Sequence, residues 1–211
     1  LFRYFMVDEF TAEVKTIKNI LRTSDQTYEI PRYQRGYSWK RGDVSTFWND
    51  MMEEWSGLFI GTILLIEPEK MNGRTEIIDG QQRMLTITIL LSSIRDALRK
   101  IGGDQAVGGA SDIQSHYIEY KDFIGSMEKI PKVQVSNNLK GYFQKAIIDH
   151  NEGKLPDGST DEEKRVRTAR QFFDSEIRKE LGQIKGDVEK INWLLTTLLR
   201  KVQKLKVVQI G

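Results

Sequence analysis

The chain of 211 residues has no cysteine. Disulfide scaffolds, zinc–thiolate sites, iron–sulfur clusters and cysteine nucleophiles are therefore excluded. Histidine is almost missing too: His116 and His150 stand far apart and form neither an HNH-type nor a metal-ligand pattern. The longest apolar run, Leu58 to Ile66, is broken by Gly61 and Thr62 and falls well short of the roughly 20 residues a membrane span needs. No segment has the plan of a signal peptide. With the missing cysteine, this points to the cytoplasm and to no membrane partner. Met6, after Leu1-Phe2-Arg3-Tyr4-Phe5, reads as the natural start. Neither sign of charge is in excess: 32 Lys+Arg face 30 Asp+Glu, a net charge of +2. Any nucleic-acid contact must use a local patch rather than a polycationic surface. A chain of this length buries roughly 70% of its open-chain surface, so the core needs no covalent staple.

Apolar spacing predicts a helix over 10–22, with Val14, Ile17 and Leu21 on one face. A short extended piece, Tyr28-Glu29-Ile30, precedes Pro31. A second helix runs from an Asp43 cap to about Trp55, and its Val44, Phe47, Trp48, Met51 and Met52 form a core-facing stripe. Leu58–Ile66 reads as a central strand buried on both faces, Pro68–Gly73 as a loop and Thr75–Asp79 as another strand. From Gln81 a long buried helix runs to about Ile101, where Gly102-Gly103 stops it. Residues 103–111 read as a linker. Beyond it come a brief strand at Val133-Gln134-Val135, a helix from Asn137 or Asn138 to about His150, and a loop over 151–160. A helix over 161–181 has Val166, Ala169, Phe173 and Ile177 on one face, and a last helix is capped by Asp187. Lys206–Ile210 reads as a strand returning to the first half's sheet, in a chain that continues past Gly211. The expected class is α+β. A small mixed sheet with helices occupies residues 1–102, a helical part follows over 112–205, and the returning strand occupies 206–211.

Two segments carry chemistry. Ile77-Ile78-Asp79-Gly80-Gln81-Gln82-Arg83 joins a strand to the buried helix. The first amides of a helix lack partners and the dipole is positive there, so this turn suits a phosphate. Gly80 lets the backbone approach a ligand closely. Arg83 can fork onto two phosphate oxygens, and Asp79 can hold Mg²⁺ or orient a water. Gln81 and Gln82 can donate to developing negative charge. An Asp79 that merely capped the helix would contribute about 1 kcal/mol, but that would leave two glutamines and an arginine unexplained. The turn is no Walker loop, because Gly-Lys-Ser/Thr is absent. The other segment, Ile30 to Trp39, interleaves Arg32, Gln34 and Arg35 with Tyr33, Tyr37 and Trp39. Arginines can neutralise phosphates and aromatics can stack on a base. Equally, such aromatics can anchor a loop to the core. Two weaker groups read as solvated surface: Asp157, Glu162 and Lys164, which lack the strand of a restriction-nuclease site, and the basic helix end Arg200, Lys201, Lys204 and Lys206.

The order Ile-Pro-x-Tyr-Gln-Arg-x-Tyr-x-Trp, then Phe59-Ile60-Gly61-Thr62-Ile63, then Ile-Ile-Asp-Gly-Gln-Gln-Arg resembles the N-terminal domain family of the GmrSD type IV restriction enzymes over residues 10–101. Similar domains occur in the phosphorothioate-sensing SspE and in BrxU. The resemblance implies a ParB/sulfiredoxin-like fold and an NTP-hydrolysing regulatory domain for restriction of modified phage DNA. It implies a nuclease located elsewhere in the protein or in a partner subunit. Carried over, Asp79, Gln81, Gln82 and Arg83 are catalytic, with Asp79 at Mg²⁺, and Arg32, Tyr33, Gln34, Arg35, Tyr37, Trp39 and Gly80 bind the nucleotide. The alternatives are a ParB-like module that grips DNA backbone without turnover, and a direct metal-dependent nuclease.

Overall fold

The computed structural model describes residues 11–23, 26–66, 74–121, 128–150, 153–184 and 187–210. Met6, the loop at 68–73 and Gly211 lie outside them. Of the helix expected over 10–22, only α1 (Ile17–Leu21) forms, with Thr16 Oγ1 accepting the Asn19 amide at 3.2 Å. The preceding residues are strand β1 (Ala12–Thr16), and Val14 is exposed rather than part of a helical face. The reason is tertiary. Each residue of β1 pairs antiparallel with the last strand, β8 (Lys206–Ile210), and that ladder outweighs a weak local helix preference.

Next come β2 (Tyr28–Glu29), α2 (Arg41–Glu53), β3 (Phe59–Ile66), β4 (Thr75–Asp79) and α3 (Gln81–Ile101). Asp43 is not the cap of α2. Lys40 is, and Asp43 accepts the Lys40 amide at 2.8 Å from the first turn. The mixed six-stranded sheet is ordered β1-β8-β3-β4-β2, with β7 (Val133–Gln134) at its edge. The returning strand β8 lies inside it, antiparallel to β1 and parallel to β3. β3 is central, as expected, but is not buried on both faces. Ile63 and Leu65 are buried while Phe59 and Ile66 are exposed, the alternation of a sheet with one covered face.

Helix α3 is buried nearly all round, polar Thr86, Thr88, Ser92, Arg95 and Asp96 included. The chain places α4 (Asp104–Ile113), α6 (Asp161–Gly182) and α7 (Val188–Lys204) against it. The expected linker at 103–111 is therefore mostly helix α4. Ala106, Ala110 and Ile113 face inward, and Gly109 lies against Leu98. Its glycines read as breakers in isolation, but here the buried alanines and Ile113 hold the segment against α3 as helix. β5 (Glu119–Lys121) and β6 (Lys129–Pro131) form a separate hairpin-like pair. α5 (Asn137–Phe143) follows a Ser136 cap and runs into a π-helical turn over Gln144–Ile148. One hydrophobic core spans both halves.

A buried polar hub joins these helices. Asp96 accepts from Arg95 at 2.7 Å, Arg170 at 2.5 Å and Arg99 at 3.3 Å, and His150 Nδ1 lies 3.0 Å away. Arg95 also donates to the carbonyls of Ile147, Ile148 and His150, which closes the end of the π-helical turn. Burial raises the Asp96 carboxyl, but the hydrogen bonds and charges of Arg95 and Arg170 outweigh it and hold the group below the usual carboxylate range. Lys201, expected on a solvated helix end, is buried. Its Nζ donates to the carbonyls of Met51, Met52 and Glu54 at the end of α2 and lies 4.0 Å from the Trp55 ring.

Candidate functional site

The turn between β4 and α3 is built on Gly80, which caps the helix in the left-handed region at φ 92°. A Cβ there would lie 2.9 Å from Ile63 Cγ1, so only glycine fits both the angle and the packing. Gly80 offers no side chain to the first turn, so no side-chain cap occupies the leading amides of this 21-residue helix. Asp79 is not the cap. It ends β4, exposed, with no ion pair among the described residues.

The loop after β2 folds over this turn and is fastened by amides. Gln82 is buried with both ends of its amide engaged: the Ser38 amide donates to its Oε1 at 2.8 Å and its Nε2 donates to the Gly36 carbonyl at 3.0 Å. Gln81 Nε2 donates to Gln34 Oε1 at 3.1 Å, and Gln34 Nε2 donates to the Ile78 carbonyl at 2.8 Å. From the far half of the chain, Glu162 in the first turn of α6 accepts the Tyr37 amide at 2.8 Å. Its carboxylate lies directly over Gly36, where a Cβ would collide with it. The loop is therefore held from two elements.

Three residues expected in the nucleotide site are not in the cleft. Tyr37 is 1% exposed, and its hydroxyl meets Thr86 Oγ1 at 2.8 Å. Burial pushes its phenol far above the ordinary range. It anchors the loop and cannot stack on a base. Arg32 and Tyr33 are exposed and do not line the cleft. The structure gathers the others. Gln34, Arg35, Trp39, Asp79, Gly80, Gln81, Gln82 and Arg83 line one cleft of about 310 Å³. Arg83 donates to the Thr62 carbonyl at 3.2 Å, and its guanidinium packs flat on Gly61 (φ 104°). Trp39 is braced by Phe47, with ring centroids 5.9 Å apart. The cleft thus combines a helix N-terminus, two guanidinium groups and one carboxylate.

Two contributors were not assigned from sequence. Gly61 lies in the Phe59–Ile63 segment of the resemblance, so a local signal for it exists. Glu162 has none, because its partner is distant in sequence. Among the described residues no three His, Asp or Glu side chains gather to hold a metal by themselves. A cation at Asp79 would draw its remaining ligands from substrate oxygens and water, which is the habit of Mg²⁺. Among the same residues no helix is long and apolar enough to cross a membrane.

The family model for the N-terminal domain of the GmrSD restriction endonuclease matches residues 17–210. The match extends through the helical half, beyond the motifs that end near residue 101. No curated protein matches the chain.

Proposed function

The chain belongs to the GmrSD restriction endonuclease N-terminal domain family, its role lies in restriction and phage defence, and on that premise we propose that it binds and hydrolyses a nucleoside triphosphate to gate a nuclease located elsewhere. The observation that supports this reading is the single cleft lined by Asp79, Arg83 and the first turn of α3 opposite Gln34, Arg35 and Trp39. Open amides at a helix N-terminus suit phosphate oxygens. Arg35 and Arg83 offer forked donors to the same oxygens. Arg83 is already held by Thr62, so little ordering is needed on binding. Asp79 would hold Mg²⁺, which would supply charge neutralisation at the phosphoryl oxygens, or would orient the attacking water. Water adds to the terminal phosphorus as the bridging oxygen leaves with the nucleoside diphosphate. Gln81 and Gln82, spent on the loop, position Arg35 and Trp39 rather than touch the phosphoryl group.

The test is phosphate release by the full-length protein with each NTP and Mg²⁺. Asp79→Ala and Arg83→Ala should each lower turnover by about 100-fold or more. Wild-type turnover in both variants would refute the reading. A second reading is favoured by the exposure of Arg32, Tyr33 and Arg35 on one loop: the loop grips DNA backbone without turnover. It requires DNA affinity that falls steeply with salt, is lost in Arg35→Ala and ignores nucleotide.

A further inference from the structure

A second cavity, of about 380 Å³, adjoins the phosphate cleft, and Trp39 and Arg83 line both. Its other walls have different chemistry. Phe59, the first residue of β3, is 57% exposed and forms one side. Asp43 and Asp50, two turns apart on α2, bring two carboxylates to the same space. The Asp50 carboxylate has no hydrogen-bond or ion-pair partner among the described residues, and the Asp43 carboxylate uses only Oδ2, on the Lys40 amide. A carboxylate only accepts hydrogen bonds. The cavity therefore offers flat apolar surface and two carboxylate acceptors, with the Thr46 hydroxyl, the Trp39 indole N–H and Arg83 as its side-chain donors.

We infer that this cavity is a base pocket and that it selects guanine. The inference rests on the nucleotide reading of the neighbouring cleft. Phe59 and Trp39 supply stacking surface for any base. Discrimination comes from Asp43 and Asp50. Guanine presents a ring N1–H and an exocyclic amine side by side, two donors that a carboxylate can accept together. Adenine and cytosine present one amine beside a ring nitrogen acceptor. Uracil presents one N–H flanked by two carbonyls, which a carboxylate repels.

The experiment is calorimetric titration of the full-length protein, in Mg²⁺, with the β,γ-imido analogues of GTP, ATP, CTP and UTP and with inorganic tripolyphosphate. The guanosine analogue should bind about tenfold or more tighter than the others. Asp50→Asn should erase most of that preference and leave tripolyphosphate affinity unchanged. Phe59→Ala should weaken all four nucleotides by about fivefold or more, again without effect on tripolyphosphate. Equal affinity for the four analogues overturns the guanine pocket, as does a guanosine preference that survives in the Asp43→Asn/Asp50→Asn double variant; tripolyphosphate binding would still uphold the neighbouring cleft. Failure of all five ligands to bind overturns both readings together.

Discussion

Replacing Gln82 by alanine separates positioning from chemistry in the candidate site. The substitution removes one amide that accepts from Ser38 at 2.8 Å and donates to Gly36 at 3.0 Å. Each such bond is worth about 0.5–1.5 kcal/mol net, and a buried group left unpaired costs about 1–3 kcal/mol. Gly36 is exposed and its carbonyl can turn to water, whereas Ser38 is half-buried. A loss of about 2–3 kcal/mol follows. For a chain of this size each 1 kcal/mol moves Tm by roughly 2–4 °C, so thermal unfolding followed by circular dichroism should show a drop of about 4–12 °C. Hydrolysis should fall together with a raised KM, because the loop no longer presents Arg35 and Trp39. Gln82→Glu should lie between the two, since a carboxylate still accepts from Ser38 but opposes the Gly36 carbonyl. An alanine variant that melts within about 1 °C of wild type and yet cannot hydrolyse NTP would refute the argument. It would mean that Gln82 touches the reacting phosphate.

Two other substitutions test the frame around the cleft. Glu162→Gln keeps an acceptor for the Tyr37 amide and should leave the loop closed, whereas Glu162→Ala should free it and expose residues 31–40 to limited proteolysis at a faster rate. Asp96→Asn leaves Arg95, Arg99 and Arg170 without their shared anion and should destabilise by about 3–5 kcal/mol in urea titrations. The Asp96 carboxyl is held below its ordinary value. Its contribution is therefore complete above the unfolded pKa of about 3.9 and disappears as pH falls further through the folded value. Wild type should lose stability over that acid range, and Asp96→Asn should lose less.

What was legible in the sequence was local. The strand–turn–helix at Thr75–Ile101 announces itself through an apolar run, a glycine and a long periodic helix, and the structure reproduces its limits. The returning strand and the helix at Asp161 were legible for the same reason. What was hidden depends on partners. α4 looked like a linker because its glycines were judged without Leu98 beside them. β1 looked helical because its pairing strand, β8, is distant in sequence. Tyr37 and Trp39 have similar surroundings in sequence, yet one is core and the other lines the cleft. Lys201 looked like surface because the carbonyls it satisfies belong to α2. The motif residues could be named from sequence, but the fastening role of the glutamines could not, because their partners are mostly backbone atoms.

The position of β8 between β1 and β3 bears on how the protein is made. A ribosome adding about 5–20 residues per second delivers both neighbours long before the strand that separates them. For roughly ten seconds of synthesis, β1 and β3 have unfilled pairing edges, which are templates for wrong association. Gly80 packs on Ile63 of β3, so the turn at the head of α3 leans on a strand whose own pairing is still open. A nascent chain can thus carry both motifs and still have no finished cleft. The sheet under the cleft is complete only once β8 has emerged and paired with both neighbours.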